Sequence, residues 1–99
     1  MSDPQTQFAE LSNAFIALAN QKLTSDNHTQ VSMPLLAAAA RFNAHVVAAA
    51  CGSADRARAE APKATAFLVG HFEKSLASNL GDYIANYDAN LQRSGLGHN

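Results

Sequence analysis

The chain holds one cysteine, Cys51, and no tryptophan. A lone thiol excludes a self-contained disulfide framework and a cysteine-rich zinc site. Charge is also scarce: seven Lys and Arg stand against eight Asp and Glu, for a formal net charge of −1. That balance marks neither a polyanion binder nor an acidic tail. The start, Met1-Ser2-Asp3-Pro4, lacks a basic run followed by an apolar stretch of signal-peptide length, so no export signal is read and a reducing cytoplasm is expected. The sequon Asn27-His28-Thr29 is then a chance match. No pair of histidines among His28, His45, His71 and His98 has the helical i, i+4 spacing of a metal site. No nucleophile elbow, phosphate loop or paired carboxylates are present. Neither cofactor nor metal is expected, nor a catalytic residue.

What the chain does have is alanine. Hydrophobic residues make up 47% of its 99 positions, and 21 of them are alanine, which leaves 26 large apolar side chains. That is too many for a disordered chain and few for a monomer that must build its own core. One helical domain over residues 1–92 is expected, with a loose tail at 93–99 and a homodimer to cover the apolar surface.

Four helices can be drawn. Asp3 is placed to cap the first, with Pro4 at its opening position, where a missing N–H costs nothing. Phe8, Leu11, Phe15 and Leu18 then recur on one face. Thr24 to Gln30 is polar and reads as a loop. Ser32 is the expected cap of a second helix running to Cys51, with Gly52 suited to a left-handed closing turn. This helix is apolar nearly all round, which predicts a central position hidden by neighbours. Arg41, Asn43 and His45 near its middle argue against a membrane span. Ser53 to Ala61 reads as a frayed turn before a third helix that Pro62 begins or kinks. Its apolar face is Phe67, Leu68, Phe72, Leu76 and Leu80. Gly70 inside it would suit a close backbone neighbour or an exposed face. Gly81-Asp82 is expected to break the chain before a short fourth helix carrying Ile84, Tyr87 and Leu91. The fold class is therefore all-α, a small bundle of three long helices plus a short C-terminal one.

The polar group inside the apolar helix is the candidate site. Arg41 and His45 share a face, whereas Asn43 looks elsewhere. A guanidinium taken out of water needs an acid, and Glu10, Glu73, Asp82 and Asp88 are the candidates. A buried ion pair that fixes helix register is the first reading. A pocket for an anionic or amide ligand around Arg41, Asn43 and Asn20 is the second. A third reading is a helix-turn-helix DNA binder, with Gly52 as the turn and Arg56, Arg58 and Lys63 following it, although Asp55 and Glu60 interleave. Tyr83 and Tyr87 read as core packing or a partner-binding patch.

Three stretches carry a resemblance: Ala14 to Gln21, Leu35 to Ala44 with its Ala-Arg-Phe-Asn-Ala run, and Asn79 to Asp88. Together they resemble an uncharacterised family of short bacterial proteins known only as a domain of unknown function, over about residues 8–90. The resemblance implies a small helical cytoplasmic protein and no assigned activity. This chain departs from the family pattern at His45, where an aromatic is usual, and at Gly70 and Gly81. The function expected is a non-enzymatic interaction or regulatory module presenting helix faces to itself or to a protein partner, with no role at a membrane.

Overall fold

A computed structural model describes residues 3–89. Three long helices run in order: α1 (Pro4–Lys22), α2 (His28–Cys51) and α3 (Ala54–Ala85). A short helical segment follows at 87–89, and no strand occurs among the described residues. The all-α class with three long helices and a short fourth is what the periodicity implied. The expected tail at 93–99 lies outside the described residues.

The chain divides into two compact units, Met1–Ala38 and Ala39–Asn99, with the boundary inside α2. In the first unit, the Asp3 carboxylate accepts the Thr6 backbone N–H at 2.7 Å, and Pro4 opens α1. That bond satisfies one of the donors a helix start leaves without a partner. Leu23 ends the helix by donating its N–H to the Asn20 carbonyl. Asn27 then ties the turn together. Its Oδ1 accepts the Thr24 N–H at 2.7 Å, and its Nδ2 donates to the Lys22 carbonyl at 2.8 Å.

The second helix begins at His28, four residues before the expected cap at Ser32. The Val31 N–H donates to the Asn27 carbonyl, so the first turn is closed before Ser32 is reached. Pro34 is accommodated inside the helix, at the cost of one i→i−4 bond. The expected loop shrinks accordingly to 23–27.

In the second unit, Gly52 takes φ 82°, the left-handed geometry anticipated for it. Ser53 accepts the Arg56 N–H at 3.2 Å and caps α3, which starts at once. Residues 54–61 therefore belong to the third helix rather than to a frayed turn, and Pro62 sits in its interior. Gly81 does not break the chain either, because α3 continues to Ala85 and closes at Asn86. A single glycine costs about 1 kcal/mol against alanine, too little to stop a helix of 32 residues.

The central correction concerns burial. No described residue is buried, and α2 is not hidden by its neighbours. Half-covered positions occur in two groups. Ala19, Leu23, Asn27, His28 and Val31 lie at or beside the first turn. Val47, Cys51, Ala57, Ala64, Leu68 and Gly70 flank the second. Among the described residues eighteen large apolar side chains are exposed, Phe8 and Phe42 each at 67%. No close neighbour approaches Gly70, so a packing role there is not met.

Candidate functional site

The polar residues of α2 are arranged by helix geometry. At about 100° per residue, Val31, Leu35, Ala38, Phe42, Val46 and Ala49 fall on one face. Met33, Leu36, Ala40, Val47 and Cys51 fall on the opposite one. Arg41 and Asn43 lie on the two seams between these faces. This explains why the helix looks apolar all round: it has two apolar faces and two narrow polar edges.

Each polar side chain behaves separately. Arg41 is exposed, and among the described residues no hydrogen bond or ion pair engages its guanidinium. The guanidinium is therefore not the buried one expected from the sequence. Asn43 turns its Nδ2 back onto its own helix, donating to the Ala39 carbonyl at 2.8 Å. His45 lies beside Phe42, with ring centroids 6.5 Å apart and planes tilted by 43°. Asn20 belongs to the first unit, where its carbonyl closes α1. Asp82 is engaged by Asn86, whose Nδ2 donates to its carboxylate at 3.3 Å. Asp88 is exposed in the short segment after α3. Within the second unit, Asn43, His45 and Asp82 each engage a residue of their own helix.

Other chemistries fare no better. A shallow concavity of about 340 Å³ lies beside the Gly52 turn, lined by Ala48, Ala49, Gly52, Ser53, Ala54 and Ala57. Its lining carries one hydroxyl and no charge, so it offers little to orient a ligand. No group of three His, Cys, Asp or Glu could hold a metal ion among the described residues. On the helix-turn-helix reading, Arg58 is already paired with Asp55 at 2.8 Å, an exposed contact within α3. The pair is solvent-exposed and weak, and it sets a carboxylate beside one of the few cations of this segment.

By length and composition α2 could cross a membrane. Arg41 sits near the middle of its 24 residues, where an unpaired charge in hydrocarbon costs roughly 2.5–3.5 kcal/mol on insertion scales.

What sequence reasoning missed is the extent of exposed apolar surface. Phe8, Leu11, Phe15 and Leu18 of α1 are all more than half exposed. So are Val69, Leu76, Leu80 and Ile84 of α3. The spacing yields the α1 face and the Leu76–Leu80 part of the α3 face, but it leaves out Val69 and places Ile84 on a separate helix. Spacing says nothing about whether a face is covered by its own chain. The stacked pair Phe67–His71, with centroids 6.4 Å apart, was also legible as an i, i+4 pair and was not singled out.

Comparison with known proteins finds no matching curated protein and no matching solved structure. A family model described as "Protein of unknown function (DUF3144)" matches residues 8–84. That span takes in α1 from Phe8 onward, all of α2 and all but the last residue of α3, and the chain belongs to this family.

Proposed function

We propose that this chain is a non-enzymatic helical module that works by presenting apolar helix faces, and that it self-associates in a reducing cytoplasm. The observation that carries the reading is the absence of any buried side chain among the described residues, beside eighteen exposed large apolar ones. Each such side chain contributes about 1.5–3 kcal/mol when fully buried. A small domain has only about 5–15 kcal/mol of net stability, so this much uncovered apolar surface favours a chain that associates. The near-neutral charge supports association as well, since little repulsion opposes contact between copies.

The test is sedimentation equilibrium together with thermal melting across a hundredfold range of concentration. Self-association predicts a species of at least twice 10.4 kDa and a Tm that rises with concentration. A cooperative melt independent of concentration, at monomer mass, would sink the proposal.

A further inference from the structure

The self-association proposed above leaves open which face meets which partner, and α3 answers in its second half. Half-covered residues of this helix end at Leu68 and Gly70; from His71 to Ala89 every residue is exposed. Along that uncovered stretch Val69, Phe72, Leu76, Leu80 and Tyr83 fall within an arc of about 80° and span roughly 21 Å. Their exposures run from 36% at Tyr83 to 59% at Val69.

From these observations we infer that this stripe is a two-fold seam, paired antiparallel with the same stripe of a second copy. It rests on the self-association proposed above and goes further by naming the surface and its orientation.

Three features favour a second copy over other occupants. The order of side chains along the stripe is aromatic, leucine, leucine, aromatic, from Phe72 to Tyr83. Such an order reads alike in both directions, which is what an isologous two-fold contact requires. With the axis between Leu76 and Leu80, each Leu76 meets Leu80 of the second copy. Each Phe72 meets Tyr83 of the second copy, an aromatic pair on both sides.

Area is the second feature. The exposed parts of these five residues amount to roughly 500 Å² per copy, so full coverage in a pair would bury at most about 1,000 Å², near the lower bound for a specific interface. Charge is the third. Residues 69–88 carry Glu73, Asp82 and Asp88 against Lys74 alone. Helices that settle on anionic lipid are instead rich in Lys and Arg on their polar face, so a membrane surface is a poor occupant.

Asn79 supplies the test, because it lies on one flank of the stripe close to the axis. In an antiparallel pair the two copies of Asn79 share a flank and approach each other, whereas a parallel pair sends them to opposite flanks. With Cys51→Ala removing the native thiol, Asn79→Cys is expected to form a disulfide dimer on mild oxidation. Ser78→Cys, on the far side of α3, is expected to remain monomeric by the same assay. Leu76→Asp should weaken association at least tenfold by sedimentation, with helicity checked by circular dichroism at matched concentration.

A wild-type chain that stays monomeric would overturn both the self-association and the seam. A wild-type dimer without the Asn79→Cys cross-link would overturn the seam alone. A chain that is monomeric in buffer and gains helix only on anionic vesicles would assign the stripe to lipid and overturn both.

Discussion

The Ser53 hydroxyl accepts the backbone N–H of Arg56 at 3.2 Å, directly after the left-handed turn at Gly52. One residue reverses the chain and the next restarts the helix. This pair of functions explains why α2 and α3 are separated by only two residues. Short connections between helices depend on such residues, because the last carbonyls of one helix and the first N–H groups of the next all need partners.

Replacing Gly52 with alanine should destabilise the second unit by about 1–2 kcal/mol, since φ 82° places a Cβ in the left-handed region. Nothing lies within 4 Å of the position a Cβ would take, so the cost is backbone strain alone. Gly52→Asn should cost less. Urea melts at fixed protein concentration would show the order, and equal stability of all three chains would contradict it. Ser53→Ala should cost about 1 kcal/mol through the lost cap.

Gly70→Ala and Gly81→Ala should each stabilise α3 by up to about 1 kcal/mol. Both positions have open space around them, and both lie away from the Phe72–Leu76–Leu80 stripe. A higher Tm with unchanged mass is the expected result. A lower Tm at either site would mean that a neighbour in the assembly packs against that glycine.

Arg41→Met should leave stability within about 0.5 kcal/mol of wild type, as for most exposed positions. A loss of several kcal/mol would require an acid from a second copy against the guanidinium. Thermal melts at low and high protein concentration separate the two outcomes.

Acid should loosen the start of α1. The Thr6 backbone N–H, and then its side chain, donate to Asp3 and hold its pKa below the ordinary 3.8. A depressed carboxylate contributes stability above its unfolded pKa and loses it as pH falls through the folded one. Protection of the Thr6 amide from hydrogen exchange should therefore fall in that acid window. In Asp3→Asn, which caps without titrating, protection should stay flat across the same range. A parallel fall in both chains would show that Asp3 is not the cause.

Local chemistry was legible at several positions. Asp3-Pro4 announces a helix start and Gly52 a turn, because capping and left-handed backbone depend on a few adjacent atoms. The misread boundaries share a cause. Ser32 looked like a cap because Pro34 follows it, yet Asn27 closes the first turn earlier through its backbone carbonyl and holds the preceding loop with its amide. Gly81 looked like a break, yet α3 runs through it. The exposure of Arg41 has another cause. Hydrophobicity on both sides of α2 shows that burial would be favourable and does not by itself supply a covering surface.

By itself the sequence determined which segments are helical and which side chains share a stripe, because helix periodicity and capping are set by neighbours within a few positions. Only the tertiary structure decided that Phe42, Phe72 and Leu76 remain in water and that Arg41 meets no acid among the described residues. Burial depends on which surfaces approach in space, and no spacing along a chain encodes whether the covering surface comes from that chain.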